Sequence, residues 1–247
     1  MKQKTKKRLI VACVFTTCFL LSGCFSKGPA PIYRSGYFTY IHLCDNSNRQ
    51  NSKDKSIVIV GFTQSGHEQE TLDIPCTIDG QPVKRIGLFD EGYPGGDKSR
   101  HIYCGNKLKK LYIPHTVVDI QYFHGDNVSL MICEESIRVV SLWGSTCKNK
   151  YISRELYEKV KDHKDDCFPA NVDFQLNYQM DNEETQYRVD YVQQDETISM
   201  PPKPERDGYS FVGWYTDAEC NNIWNFNSVP LIEEGGTLVL YAGWETL

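Results

Sequence analysis

Leu72-Asp73-Ile74-Pro75 is the stretch that decides the fold, because the phrase returns as Leu111-Tyr112-Ile113-Pro114 and, in degraded form, as Leu130-Met131-Ile132-Cys133. The isoleucines of these phrases and Ile152 are 39, 19 and 20 residues apart, and 39 is close to two steps of one period. A period of about 20 with the pattern L-x-I is typical of a solenoid, in which each unit exposes an apolar flank that only its neighbour can bury. The long interval indicates that one unit is replaced or enlarged by the loop Asp90–Asp97.

The residues around the first phrase resemble a known family. Gly61-Phe62-Thr63 precedes the phrase and Thr77-Ile78-Asp79-Gly80-Gln81-Pro82-Val83-Lys84-Arg85-Ile86-Gly87 follows it. Together they look like the opening unit of the BspA-type (family 5) leucine-rich repeats of bacterial surface proteins. The resemblance covers about residues 37–165 and implies a short, irregular leucine-rich-repeat solenoid, which we assign to residues 37–168. An array of about three to four units is too short to predict a long concave binding face.

Other elements flank the repeats. Two extended runs, Tyr37–Leu43 and Ser56–Phe62, enclose a polar loop and predict a β-hairpin. After the last repeat, Ser153–His163 predicts a helix, because Ser153 can cap its N-terminus and an apolar stripe runs along one side. We expect this helix to cover the open end of the repeat array.

From Asn171 onward the pattern changes to strict alternation of apolar and polar residues. Such alternation predicts two half-buried strands joined as a hairpin through the polar turn Asp181–Gln186. The residues on the apolar side are Val172, Phe174, Leu176, Tyr178, Tyr187, Val189 and Tyr191. Further along, Gly208 and Gly213 permit close backbone approach beside aromatic residues.

Two long motifs near the C-terminus resemble a second family. Pro201–Asp217 has the pattern P-x-x-P-x-R-x-G-Y-x-F-x-G-W-Y-x-D, and Leu240–Trp244 has the pattern L-Y-A-x-W. Over about residues 172–244 they resemble the Listeria–Bacteroides repeat, also known as the internalin B-repeat. The resemblance implies a small β-grasp (ubiquitin-like) module, usually extracellular, which we assign to residues 169–247. The predicted core residues are Trp214, Trp224, Phe226 and Trp244. The overall fold class is therefore mainly β.

The first 24 residues predict where the protein resides. Five basic residues precede the apolar run Leu9–Leu21, the order of a secretory signal. Leu21-Ser22-Gly23-Cys24 resembles the lipobox of bacterial lipoproteins, which implies a signal peptide over residues 1–23, cleavage between Gly23 and Cys24, and a diacylglycerol on the Cys24 thiol. Residues 24–36 predict a tether. A transmembrane anchor is disfavoured, because the apolar run would rise only ~20 Å against a hydrocarbon core of ~30 Å.

Charge and composition narrow the range of partners. The whole chain has a net charge of −5. Removal of residues 1–23 takes away five basic residues and no acidic one, so 22 basic and 32 acidic residues remain and the net charge becomes about −10. Because an acidic surface repels phosphate backbones, no nucleic-acid partner is expected.

Seven cysteines follow Cys24, at wide and irregular spacings. They are Cys44, Cys76, Cys104, Cys133, Cys147, Cys167 and Cys220. Disulfides are permitted outside the cytosol, but buried thiols that act as small apolar side chains fit the sequence equally well. The count is odd and no C-x-x-C is present, so neither a zinc site nor a thioredoxin-like redox site is indicated.

The sequence contains no local signature of catalysis. It lacks H-E-x-x-H, G-x-S-x-G, the P-loop and G-x-G-x-x-G. The close pair His101 and Cys104 is weak evidence for a metal, and Asp45, Asp54 and the acidic group at 162–166 lack the spacing of a calcium loop. We therefore expect no catalytic residue, no metal site, no cofactor and no enzymatic activity.

These features predict a lipid-anchored protein on the extracellular face of the bacterial cell membrane, with a role in interaction or adhesion. Its membrane contact is the lipidated Cys24, and its other partners are host or envelope proteins or glycans. The candidate contact surfaces are the strand face of the repeat array and the loop Asp90–Lys98. The alternative is a structural spacer or envelope-organising lipoprotein without a separable ligand. A substrate-binding lipoprotein for a transporter would need two α/β lobes, and the sequence lacks that pattern.

Overall fold

The computed structural model describes residues 31–43, 54–88, 101–133, 142–162, 167–178 and 186–247. These residues are mainly β and form three sheets, one of which is all-parallel. Seventeen strands and two short helices occur in them. The strands are β1 (Tyr33–Ser35), β2 (Phe38–His42), β3 (Ile57–Phe62), β4 (Thr71–Asp73), β5 (Thr77–Ile78), β6 (Gln81–Ile86), β7 (Ile102–Tyr103), β8 (Lys110–Ile113), β9 (Asp119–Gln121), β10 (Phe123–Ile132), β11 (Leu142–Trp143), β12 (Thr146–Ile152), β13 (Cys167–Pro169), β14 (Val172–Gln175), β15 (Gln186–Asp190), β16 (Tyr209–Tyr215) and β17 (Leu238–Thr246). The helices are α1 (Gln64–His67) and α2 (Arg154–Val160).

Two of the sheets enclose the main core. The mixed sheet has the strand order β1-β2-β3-β6-β9-β11, with β5 beside β6. The parallel sheet has the order β13-β12-β10-β8-β4, with β7 beside β10. Buried aliphatic side chains of both sheets, among them Ile59 of β3 and Leu111 of β8, form a single cluster. We call these two sheets and their helices the repeat unit.

The repeated phrases lie side by side in the parallel sheet. Leu111 of β8 is in register with Leu72 of β4 on one side and with Leu130 of β10 on the other, and all three are buried in the main core. β4 and β8 are direct neighbours although 39 residues separate their paired leucines. The 39-residue interval is therefore a single enlarged repeat and not two repeats. The exposed ion pair of Glu70 with Lys109 has the same spacing.

The predicted hairpin and helix are both confirmed. β2 and β3 pair antiparallel, and β1, which lies in the predicted tether, adds a further strand beside β2. α2 follows Ser153, whose hydroxyl accepts a hydrogen bond from the Leu156 amide (3.1 Å). Leu156 is buried in the main core, and the helix contacts β13. α2 therefore lies at one edge of the parallel sheet, since β13 is its outermost strand.

The third sheet forms a C-terminal unit with the order β15-β14-β17-β16. β14 pairs antiparallel with β15, which confirms the predicted hairpin, and it pairs parallel with β17. β17 in turn pairs antiparallel with β16. The core is aromatic, as predicted: Trp214 is buried, and half-buried rings pack against its cluster. These rings include Trp224, Phe226 and Trp244.

Of the two glycines predicted to permit close backbone approach, Gly213 does so, but Gly208 does not, because a Cβ atom there would meet nothing within 4 Å. Gly208 adopts a φ of 77° before β16, a conformation that L side chains rarely adopt. A Cβ atom on Gly213 would lie 3.0 Å from the Cδ1 atom of Ile223. Any larger residue at position 213 would therefore push the Ile223 side chain aside.

Candidate functional site

A row of five outward-facing side chains crosses the parallel sheet. Three of them are the middle residues of the L-x-I phrases, and neighbours in the row are register partners on adjacent strands. The row, here called the outer row, consists of Asp73, Tyr112, Met131, Tyr151 and Phe168. Because successive side chains of a strand point to opposite faces, these residues face away from the core leucines. In an isolated sheet this face would lie in water.

β15 of the C-terminal unit lies over one end of the outer row. The Arg188 guanidinium carbon is 3.3 Å from the centroid of the Tyr112 ring, and its Nη1 atom is 3.0 Å from Oδ1 of Asp73. Asp190 is fully buried and accepts hydrogen bonds from the Lys110 ammonium (2.9 Å) and the Tyr112 hydroxyl (3.0 Å). We call these five residues the ionic cluster.

Burial makes the ionic cluster sensitive to the loss of any charge. Two basic groups face two acidic ones, and the Arg188 side chain is only 4% exposed. Among the described residues, none accepts a hydrogen bond of good geometry from the Arg188 guanidinium. The guanidinium is held by the Tyr112 ring and by ion pairs with Asp73 and Asp190. Burial raises the pKa of the Asp73 carboxyl to about 6; Arg188 opposes this rise and Asp190 adds to it. Removing one partner would leave a buried charge without compensation.

Apolar contacts extend the junction beyond the ionic cluster. Met131 packs with Ala170 and Val189 in a buried cluster. Tyr191 stacks on Tyr151, with ring centroids 4.5 Å apart and ring planes 16° apart. The two units are therefore joined through a buried interface in which charged, aromatic and aliphatic groups all take part.

Past Tyr151 the outer row reaches a region that β15 leaves open. Phe168 of β13 is the cross-strand neighbour of Tyr151, yet it is 45% exposed. Here a cleft of about 460 Å³ lies between the repeat unit and the C-terminal unit. The rings of Tyr151, Phe168 and Tyr191 contribute to its lining. We call it the junction cleft.

Polar side chains with unused hydrogen-bonding capacity also line the junction cleft. Gln193 and Gln194 follow β15, Glu233 and Glu234 precede β17, and all four are exposed. Within the described ranges, no residue forms a hydrogen bond with any of these four side chains. Arg154 donates a hydrogen bond from Nε to the Thr237 hydroxyl (3.2 Å), which links α2 to the segment before β17.

A second aromatic surface lies where β7 meets β10. Nδ1 of His101 and Nε2 of His124 are 3.0 Å apart, within hydrogen-bond distance. The Tyr103 ring, 66% exposed, stacks on His124, and the Tyr122 ring lies 4.4 Å from that of His101. We call these four residues the imidazole patch. The patch presents flat ring faces, of which that of Tyr103 is exposed.

His101 and Cys104, the close pair in the sequence, have different surroundings. Cys104 packs against the main core, and burial raises the pKa of its thiol to about 12, so the thiolate that would bind a metal is disfavoured. In the part of the chain that the structure describes, no group of three or more His, Cys, Asp or Glu side chains could hold a metal ion. Asp54 accepts a hydrogen bond from the Ser56 amide, and hydrogen bonds from Ser56 lower the pKa of its carboxyl.

Of the seven cysteines after Cys24, six are described, and no disulfide joins any two of these six. Cys44 lies outside the described residues. Burial raises the thiol pKa of Cys76, Cys147 and Cys220. Of the two readings that the sequence left open, buried or half-buried thiols fit the described cysteines.

Several predicted positions have no structural account. Gly23, Cys24 and the loop Asp90–Lys98 all lie outside the described residues. The strand face of the repeat array is described, and β15 covers part of it. Among the described residues, no helix is both long enough and apolar enough to cross a membrane.

The ionic cluster and the junction cleft were not predicted from the sequence. One signal was available: the outward positions of the L-x-I phrases carry Tyr112 and Met131, although a solvated face favours polar residues. Apolar side chains at outward positions indicate that another part of the protein covers them.

Comparison with known proteins identifies part of the chain. Residues 174–243 match the Listeria-Bacteroides repeat domain, as the motifs predicted. Two proteins of Evansella cellulosilytica, named "Putative membrane protein" and "Putative Gly-rich membrane protein", are 39% identical over 49 residues and 42% identical over 48 residues. These stretches are 20% and 19% of this chain, but the chain spans only 7% and 5% of those proteins. The chain thus contains a Listeria–Bacteroides repeat domain near its C-terminus and is distantly homologous to these bacterial proteins.

Proposed function

We propose that this protein is anchored by a lipidated Cys24 to the outer face of the bacterial cell membrane, where it serves interaction or adhesion and catalyses no reaction. The observation that carries this proposal is the Listeria–Bacteroides repeat domain at residues 174–243, in a chain whose first residues have the pattern of a lipoprotein signal. The membrane-protein names of its relatives agree with a location at the envelope.

We assign the repeat unit to a short leucine-rich-repeat solenoid. The register offsets support this assignment, because Leu111 pairs with Leu130 and Met131 pairs with Tyr151, which are 19 and 20 residues apart. An all-parallel sheet with one repeat per strand is the geometry that such an array produces.

We assign the C-terminal unit to the β-grasp class. Its central parallel pair, β14 and β17, is flanked by antiparallel strands on both sides. In the described part of this unit no helix is present, so the long connections on either side of β16 cover the sheet instead. These connections contribute Ile198 and Phe226 to the core cluster.

The surfaces proposed for interaction are those that β15 does not cover. β15 covers the outer row from Asp73 to Tyr151, so this part of the strand face is occupied within the protein itself. The junction cleft and the imidazole patch are two candidate contact surfaces that β15 leaves open.

Mass spectrometry of the mature protein, extracted from bacterial membranes, tests the anchor. We expect an N-terminal Cys24 that carries a diacylglycerol. The variant Cys24→Ala should keep its signal segment and carry no lipid. An unmodified Cys24 in the mature wild-type protein would overturn the anchor.

Attachment of bacteria tests the interaction. Cells that display the wild-type protein should bind at least one matrix or envelope component more strongly than cells that lack it. If the displayed protein binds none of them, the proposed role in adhesion is wrong.

A second candidate, a structural spacer of the envelope, is favoured by one observation. Asp190 and Arg188 are buried at the junction and join the two units, as a rigid spacer would require. Deletion of the protein would then change envelope integrity and leave attachment unaltered.

A further inference from the structure

We infer that the junction cleft binds a neutral oligosaccharide of about two or three sugar rings. The inference rests on the proposed function, because it names the partner class of a surface protein. The supporting observation lies at the open end of the outer row. There, aromatic rings and polar side chains without a hydrogen-bond partner among the described residues line one cavity between the two units.

The shape of the cleft suits a ring-shaped ligand. Its volume of about 460 Å³ lies within the range of small-molecule sites, roughly 300–1,000 Å³. Tyr151 and Tyr191 are stacked nearly parallel, and Phe168 continues the aromatic lining at 5.9 Å from Tyr151. The face of a sugar ring carries several C–H groups, which pack favourably on the electron-rich face of an aromatic ring.

The polar groups suit the hydroxyl groups of a sugar. The amides of Gln193 and Gln194 can both donate and accept hydrogen bonds, as can sugar hydroxyls. The carboxylates of Glu233 and Glu234 can only accept, and the Arg154 guanidinium can only donate. Together these five side chains offer both kinds of partner within one cavity.

The charges argue against an anionic ligand. Glu233 and Glu234 place two negative groups beside the single positive group of Arg154. The chain as a whole is also acidic, with a net charge of −5. An anionic polymer such as a polyphosphate would therefore be repelled both at the cleft and on approach.

The strand at the cleft is a poor site for an extended peptide. A peptide that adds to a sheet pairs with the free backbone groups of an edge strand. β13 is the edge of the parallel sheet, but it has only three residues and ends in Pro169, which has no N–H group. Strand addition would gain few hydrogen bonds there.

The buried junction holds the cleft open in one shape. The ionic cluster and the stack of Tyr191 on Tyr151 fix β15, and two residues separate its end from Gln193 and Gln194. Asn171 donates a hydrogen bond to the Val192 carbonyl (2.8 Å) and accepts one from the Val192 amide (3.0 Å). A ligand therefore meets a preformed site and spends little binding energy on ordering it.

Isothermal titration of the full-length protein in mild detergent tests the inference. The probes are maltotriose, cellotriose and tri-N-acetylchitotriose, each added up to about 10 mM. We expect one of them to bind with a dissociation constant of about 0.1–1 mM. The variant Phe168→Ala should weaken this binding about fivefold, since one stacking face is lost. The double variant Gln193→Ala/Gln194→Ala should weaken it about threefold or more.

Tyr37→Ala is the matched control. Tyr37 is 43% exposed, close to the 45% of Phe168, but it lies before β2, and it is absent from the lining of the cleft. Its loss should leave binding unchanged within about twofold. Thermal unfolding should be nearly the same for all variants, because the substituted side chains are exposed.

The inference is wrong if none of the trisaccharides shows saturable binding, or if both cleft variants bind the trisaccharide as tightly as the wild type. It is also wrong if Tyr37→Ala weakens the binding as much as the cleft variants do. A protein ligand whose binding Phe168→Ala abolishes, with no trisaccharide bound, would likewise overturn it. The attachment assay separates this inference from the proposed function. If cells attach but no trisaccharide binds, only the cleft inference fails. If a trisaccharide binds but cells attach to nothing, the role in adhesion fails.

Discussion

The two ends of the outer row differ in what covers them. At one end Asp73 and Tyr112 lie beneath Arg188 and belong to the ionic cluster, in which Arg188 and Asp190 are buried. At the other end Phe168 occupies an equivalent position in the sheet and is 45% exposed. The strands themselves are alike, so the position of a residue within its repeat does not determine its burial. Its burial is determined by whether the C-terminal unit covers it.

The largest expected effect comes from removing the central charge of the covered end. Asp190→Ala should lower the free energy of unfolding by about 3–5 kcal/mol, because the buried Arg188 and the half-buried Lys110 would lose their shared carboxylate. Chemical denaturation of the purified protein measures this loss. Asp126→Ala, at an exposed aspartate on β10, is the control and should change stability by less than about 0.5 kcal/mol. A small effect at Asp190 would mean that the ionic cluster does not join the units.

The same substitution at two neighbours in the outer row should have unequal effects. Tyr151→Ala should cost about 2–3 kcal/mol, because it removes a half-buried ring that stacks on Tyr191. Phe168→Ala should cost less than about 0.5 kcal/mol, because nothing covers that ring in the same way. Thermal unfolding of the two variants side by side measures the difference. Equal losses would show that the C-terminal unit adds nothing to the burial of the row.

The third prediction concerns pH at the covered end. Burial raises the pKa of the Asp73 carboxyl to about 6 from its ordinary value of 3.8, so the folded state binds this proton more tightly than the unfolded state does. The stability that this proton contributes is fully present below pH 3.8 and is lost as the pH rises through about 6. We expect the bound proton to contribute about 1–2 kcal/mol to the free energy of unfolding. The contribution is reduced because the Asp73 side chain remains 28% exposed and water screens its charge.

Asp73→Asn isolates this effect, because the amide cannot titrate. The difference in unfolding free energy between the variant and the wild type should change between pH 5 and pH 7, with the variant gaining relative stability at pH 7. Stability curves measured at both pH values test the sign. If the difference is the same at both, Asp73 does not titrate in this range and its carboxyl is better solvated than its position indicates.

The sequence was a good guide to the core and a poor guide to the junction, for a physical reason. The paired leucines Leu72, Leu111 and Leu130 were recognised because periodicity marks the face that each unit buries within itself. Alternation in the hairpin placed Val189 on the apolar side, yet Val189 packs with Met131 at the junction and not in the core of its own unit. It also placed Arg188 and Asp190 on the polar side, where water is expected. In the structure Arg188 is 5% exposed and Asp190 is fully buried, since β15 has a second unit against that face. Periodicity does not report such contacts between units.

The smallest effect is expected at Lys109, next to Lys110 in the chain. Lys109 pairs with Glu70 at 3.0 Å, and both side chains are about two-thirds exposed, whereas the partner of Lys110 is fully buried. Lys109→Ala should change the free energy of unfolding by less than about 0.5 kcal/mol, and added salt should remove even that difference because it screens exposed charges. Lys110→Ala should cost about 2 kcal/mol or more and respond little to salt, since its loss leaves the Asp190 carboxylate buried with one partner fewer. Denaturation of both variants at low and high salt measures this contrast, and similar losses at the two lysines would remove the distinction between a covered and an open face.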